Sequence, residues 1–486
     1  MRSLVLGAYA MACGTLTAAE AHFASALAQQ SADEESWVGA GAHLWISSVY
    51  NFQGRSREGI EAARQALSIA PQVSWSRANL SMGIALAEGP QTAIRELSPV
   101  LPSIRNSADG GSSADALLLT FNGWHRITAG ELEAGIDDCS HALALSQSLG
   151  ASVLPDLAYA AVASAQYLLG DWHRASISIE RAHDVTANGA GLVATRPAHF
   201  ATEAWLAAGR GEWSRAEAAL SAAEQGAASI GGELASTYVL IGRAILAQAR
   251  GDYRGVLEAV ERLVEEAKEW PRLCRVFWLP LHAEALLETG RVEDAEGAVS
   301  ALRAAVSGLP CLRTASAWLS GRVAEMRGDL THARIAYERE LGAGSATNVI
   351  ALHRALLEHS YSRVLNRMGM ATDASRWLLK ARDHLAALGA SPFLARCAEN
   401  LSPAKDIRPS PRGSFADLTK RQRDIALLVG RGLTNREIAN ELFVSSKTVE
   451  YHLSHVYGKL DHSNRRELRD YVQRSEFRID SGGLCE

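Results

Sequence analysis

Near the C-terminus His452, His455 and His462 lie close enough in sequence for their imidazoles to share a metal ion by spacing alone. No thiolate joins them. The six cysteines (Cys13, Cys139, Cys274, Cys311, Cys397, Cys485) are scattered singly without a C-x-x-C pair, which fits neither a thiolate zinc site nor a disulfide framework and suits a reducing compartment. Ser, His and Asp are plentiful, but no nucleophile elbow, H-E-x-x-H or glycine-rich phosphate loop is formed. Gly458-Lys459 is followed by Leu460 rather than Ser or Thr, and G-x-x-x-x-G-K-[ST] occurs nowhere, so neither catalysis nor ATP binding is expected and no cofactor is implied. The chemistry that remains is polar and cationic. Residues 416–472 carry ten Lys/Arg against eight Asp/Glu, a balance of +2, while the rest of the chain carries −7. A uniformly basic nucleic-acid binder is excluded; a small basic module on an acidic body is not.

The elements that must position these side chains are four short helices over 418–473. Thr419 is placed to cap a first helix with Ile425, Leu428 and Val429 inward, stopped by Gly430 and Gly432. Thr434 caps a second, whose apolar face is Ile438, Ala439 and Leu442. Phe443-Val444 makes a tight turn, and Ser445 or Ser446 caps a third, striped by Val449, Leu453, Val456 and Leu460. Asn464 caps a fourth carrying Leu468, Tyr471 and Val472. The second and third, joined by about four residues, have the spacing of a helix-turn-helix. Upstream, 402–417 holds three prolines in nine residues and reads as an extended linker, and 475–486 as a tail.

The run Gly432-Leu433-Thr434-Asn435-Arg436-Glu437-Ile438-Ala439, then Leu442-Phe443-Val444-Ser445, then Lys447-Thr448-Val449-Glu450-Tyr451-His452-Leu453 resembles the C-terminal DNA-binding domain of LuxR-type regulators. With helical repeats upstream, Thr448 to Leu453 further resembles the large ATP-binding, MalT-like branch. The nucleotide-binding domain of that branch has no counterpart motif here. The resemblance implies that the third helix enters the major groove, with Glu450, Tyr451 and Ser454 at base edges and Asn435, Arg436, Lys447, Thr448 and Lys459 on phosphates. It also implies that the fourth helix meets its twin through Leu468 and Val472 in a homodimer on DNA, with Val472 the more peripheral; the alternative is that Leu468 is wholly internal core. His452 and His455 then sit on a helix facing DNA, and no metal is expected. Gln422 stands where the family usually has Glu. Asp461-His462 replaces Gly-Val, at a cost of about 1 kcal/mol if Asp461 takes a left-handed cap.

Residues 1–401 carry an internal repeat. Gly14, Gly54, Gly89, Gly130, Gly170, Gly211, Gly251, Gly290, Gly328 and Gly369 are 35 to 41 residues apart. In the clearest copies Ala follows five positions later (Ala19, Ala175, Ala216, Ala295, Ala333). Gly ends one helix and Ala lets the next approach closely, so each repeat is a helical hairpin and neighbours stack into a right-twisting array. These copies resemble tetratricopeptide repeats of the longer kind. Most tryptophans (Trp45, Trp172, Trp205, Trp213, Trp318) are expected in the core. Two irregular stretches, Ser103–Asp115 and Thr186–Pro197, read as surface loops. The apolar run from Leu4 to Cys13, which imitates a signal sequence, reads as a buried helix opening the first repeat, and no stretch is long enough to span a membrane.

The expectation is therefore an all-α protein: about ten tetratricopeptide-like hairpins forming an α-solenoid (1–401), a linker (402–417) and a four-helix LuxR-type domain (418–474). The resemblance implies a cytoplasmic regulator of promoter DNA, an activator working with RNA polymerase, with an unidentified protein or small-molecule effector on the repeats. Two rivals are a protein–protein adaptor whose terminal domain no longer reads DNA and a shortened form of an ATP-dependent regulator.

Overall fold

The computed structural model describes residues 1–29, 37–72, 74–105, 111–150, 154–188, 191, 193–230, 233–266, 274–343, 348–399, 418, 420–442, 445–460, 465–469 and 471–472. The chain divides into two compact units, Met1–Leu401 and Ser402–Glu486. Among the described residues all regular structure is helical, and no helix is long and apolar enough to cross a membrane.

The first unit is ten helical hairpins in succession. They begin with Arg2–Ala12 and Leu16–Ala28, pass through pairs such as Pro155–Leu169 with Trp172–Ala187, and end with Ala351–Arg367 and Ala371–Leu388; a closing helix, Ser391–Glu399, follows. Each of the ten periodic glycines lies at the bend between the two helices of its hairpin, with φ between +75° and +104°. At Gly170 the turn closes by hydrogen bonds from the Gly170 amide to Tyr167 O (3.2 Å) and from the Asp171 amide to Gln166 O (2.9 Å). A side chain there would strain the left-handed backbone and meet Ala351 and Leu388 at 2.6 Å. The alanines five positions on are sealed: Ala19, Ala175, Ala216, Ala295 and Ala333 have no accessible surface.

Successive hairpins bury one another's apolar faces, and the array also closes on itself at an offset of five. Val193, at the start of the sixth hairpin, packs on Gly14 of the first. Gln91 of the third donates to Gly308 O beyond the eighth. The Glu133 amide of the fourth donates to Asn348 Oδ1, just before the tenth, at 3.0 Å, and Cys311 beside the ninth packs on Gly130 of the fourth. The fifth meets the tenth at Gly170. One superhelical turn therefore takes about five hairpins, and adjacent turns share a core running from Ile60 to Cys397.

Three expectations need correction. Ser103–Asp115 is not a plain loop: Leu101–Arg105 is helical, and Ser112 opens the next helix by accepting from the Asp115 amide. Within Thr186–Pro197, Val193–Thr195 is a 3-10 turn whose Ala194 and Thr195 are buried between the first and sixth hairpins; Thr195 donates to the buried Asp156 carboxylate at 2.6 Å. Trp213 is partly exposed, covered on one face by the Arg250 guanidinium, whereas Trp172, Trp205 and Trp318 are core. The helix Arg2–Ala12 does open the first hairpin, but only Gly7, Ala10 and Met11 are buried while Val5 and Tyr9 stay exposed.

Candidate nucleic-acid interface

In the second unit a first helix, Lys420–Gly430, buries Ile425, Ala426, Leu428 and Val429. It ends where the Gly432 amide bonds to Val429 O (2.9 Å) and the Leu433 amide to Leu428 O (3.2 Å), with Gly432 at φ +89°. This paired closure satisfies the last carbonyls and reverses the chain. The second helix, Asn435–Glu441, has only seven residues and depends on its cap. Thr434 Oγ1 accepts from the Glu437 amide, and the Glu437 carboxylate accepts from the Thr434 amide at 2.7 Å, a reciprocal box that holds Glu437 below its ordinary carboxylate range. Ile438 and Ala439 turn inward.

Ser445 caps the third helix, Ser446–Leu460: its Oγ accepts from the Thr448 amide at 3.1 Å. The choice left open between Ser445 and Ser446 thus falls to Ser445. Val449, Leu453 and Val456 are buried against the first two helices. Lys447 and Glu450 are exposed on the remaining surface of the helix and Thr448 is half-buried near its start. The side chains of Tyr451, Ser454, His455 and Lys459 fall outside the described residues, as do Thr419, Phe443-Val444, Asp461-His462 and Asn464.

On the second helix Arg436 is exposed and Asn435 half-buried. The Asn435 side-chain carbonyl accepts from Arg465 Nη1 at 2.6 Å, so the donating capacity of the side chain rests on its amide nitrogen. The other Arg465 terminal nitrogen bonds to Leu433 O, and Arg421 Nη2 donates to Leu442 O at 2.8 Å. These two arginines clamp the chain before and after the second helix. The sequence showed them only as positive charges, because a partner 21 to 32 residues away leaves no local signal.

The structure speaks against a dimer seam through Leu468 and Val472 and for the alternative that Leu468 is internal. Leu468 and Val472 are fully buried within the unit, and a Cβ on Gly430 would sit 2.5 Å from Val472 Cγ1. Neither side chain has a face to offer a twin. Val472 lies against Gly430 at the end of the first helix, and Leu468 belongs to the same core.

A capped pair of helices crossing over a common core, with the second presenting a polar outer face, defines a helix-turn-helix unit. Residues 416–472 match the family described as bacterial regulatory proteins, luxR family, so the chain carries a LuxR-family domain at its C-terminus. Similar curated proteins include an HTH-type transcriptional regulator of Mycobacterium bovis named Mb0914c, 45% identical over 67 residues (14% of this chain, 8% of that one). Another is the transcriptional regulatory protein LiaR of Bacillus subtilis, 42% identical over 60 residues (12% of this chain, 28% of that one). The chain thus spans under a third of the length of either relative. Among solved structures, a tetratricopeptide repeat protein from Parabacteroides merdae is similar at 15% identity over 59% of this chain and 99% of its own, with a TM-score of 0.32.

Proposed function

We propose that this protein is a sequence-specific DNA-binding regulator of transcription. The observation that carries the reading is the LuxR-family match over 416–472 together with the exposed Lys447 and Glu450 on a helix whose opposite stripe is core. In this reading the helix Ser446–Leu460 lies in the major groove, with Glu450, Tyr451 and Ser454 toward base edges. Asn435, Arg436, Lys447, Thr448 and Lys459 hold phosphates, aided by the open amides at the start of that helix. The relatives are transcription regulators by name, which supports a cytoplasmic protein acting with RNA polymerase on promoter DNA, as an activator, in two copies on paired half-sites. The acidic repeat array, with its share of the −7 outside 416–472, is repelled by phosphate and is left to receive an effector. Purified protein titrated onto the DNA upstream of its own gene tests this: a discrete complex that survives excess unrelated DNA is expected, and equal competition by unrelated DNA contradicts it.

A further inference from the structure

The repeat unit carries a partly open cavity of about 310 Å³ where its seventh to tenth hairpins meet the closing helix, walled in part by Tyr253, Glu284, Trp318, Arg322, Arg363 and Phe393. A cavity of about 150 Å³ is enough to hold benzene, so this one admits a molecule of roughly ten to fifteen non-hydrogen atoms. A second hollow, among Trp45, Trp75, Phe121 and Tyr238, offers about 60 Å³.

The chemistry of the wall narrows the occupant. Its acids are already engaged: Glu288 accepts from Arg322 at 2.6 Å, and neighbouring Glu325 accepts from Arg363 Nη2 at 3.0 Å and from the Tyr337 hydroxyl at 2.6 Å. Glu284 accepts from Gln248 at 2.5 Å and from the Tyr253 hydroxyl at 3.3 Å, and burial pushes its carboxyl up to about 7, so it carries only part of a charge at neutral pH. Arg363 lines the cavity with a side chain 32% exposed and spends Nη2 on Glu325, so its other terminal nitrogen is the donor to spare. The Trp318 indole N–H is satisfied by Ser360 Oγ at 3.0 Å, which leaves the ring as an apolar wall continued by Leu356 and Phe393. An unmatched guanidinium N–H calls for an anionic oxygen, and the adjoining aromatic wall calls for a flat apolar body. A doubly charged phosphate would have to face Glu284 and Glu288 across the same space.

We propose that this cavity binds a small aromatic carboxylate, its carboxylate on Arg363 and its ring against Trp318, Leu356 and Phe393. This deepens the reading above by giving the repeat array an effector class, yet it is measured without DNA. A chain that binds the acid but selects no DNA sequence fails that reading and keeps this one.

Calorimetric titration of the purified full chain with naphthoate, indole acetate and neutral naphthamide tests the proposal. One-site binding of at least one acid with Kd below about 1 mM is expected, with naphthamide at least about tenfold weaker than naphthoate. Arg363→Lys keeps a cation for Glu325 but loses the second terminal guanidinium nitrogen, and should weaken the acid about tenfold. Should that variant fail to fold, the contrast between acid and amide in the unaltered chain still decides. No binding of either acid, equal binding of naphthamide and naphthoate, or full affinity in Arg363→Lys overturns the proposal.

Discussion

Lys447 and Glu450 stand one turn apart on the exposed side of the same helix, and their replacement should differ in kind. On the proposed reading Lys447→Ala removes a phosphate contact, so binding to every sequence should weaken alike and the slope of log affinity against log salt should fall by about one unit, read from titrations at several salt concentrations. Glu450→Ala removes an acceptor for a cytosine amino group and should relax preference at one base position by roughly 1–3 kcal/mol, with little change on unrelated DNA. Val472→Glu belongs to another category. It places a carboxylate in the seam against Gly430 and should destabilise the small domain by about 3 kcal/mol or more, seen as a lower melting temperature and loss of all DNA binding rather than of paired occupancy alone. The apolar stripe Val449, Leu453 and Val456 was legible from its spacing. The role of Val472 was not, since a four-residue interval fits a core seam and a dimer seam equally and only the position of the first helix separates them.

The elements of the second unit stand or fall by their ends. A seven-residue helix does not nucleate alone, so the Thr434–Glu437 box and the Arg465 clamp must hold Asn435–Glu441 in place. Thr434→Ala should cost about 1 kcal/mol of domain stability and, by loosening the helix that carries Asn435 and Arg436, weaken DNA binding without altering the preferred sequence. Melting curves and competition titrations on the same variant separate the two effects. The cap at Thr434 was readable because a hydroxyl before an apolar-periodic run has one common use, whereas two adjacent serines left Ser445 and Ser446 open for the third helix. The Arg465 and Arg421 clamps were hidden, because each bonds to a backbone carbonyl, and carbonyls carry no sequence.

Across the repeat array the hairpin was fully written in the ten glycines and the alanines that follow, yet the winding was not. Period sets the length of a hairpin; the angle between neighbours sets the pitch, and that angle arises from many side chains of which only scattered pairs, such as Gly130 with Cys311, reveal the five-hairpin offset. The same tight winding seals titratable groups. Burial holds the His125 and His199 imidazoles down at about 3, and those of His353 and His359 at about 4. In the unfolded chain they bind protons near the usual 6.5, so the stability they contribute is full above that value and is lost as pH falls toward the folded values, about 2 kcal/mol each at pH about 5. Glu284, raised to about 7, acts in the opposite sense as pH falls from 7, as do Asp156 and Glu325, whose carboxyls burial also pushes up; His43 and His282, which burial lowers, add to the side of the four imidazoles. The array should therefore melt at a clearly lower temperature at pH about 5 than at pH about 7.5, followed by circular dichroism; an unchanged or higher melting point would show that these histidines are solvated.

Selection of bound duplexes from a random pool, run in parallel with the unaltered chain and with Glu450→Ala, tests most directly whether the C-terminal unit reads DNA through the helix Ser446–Leu460. The account predicts that the unaltered chain enriches one motif and that Glu450→Ala enriches the same motif relaxed at a single position. No enrichment by the unaltered chain, or an identical motif from Glu450→Ala alongside a changed one from Lys447→Ala, would contradict it.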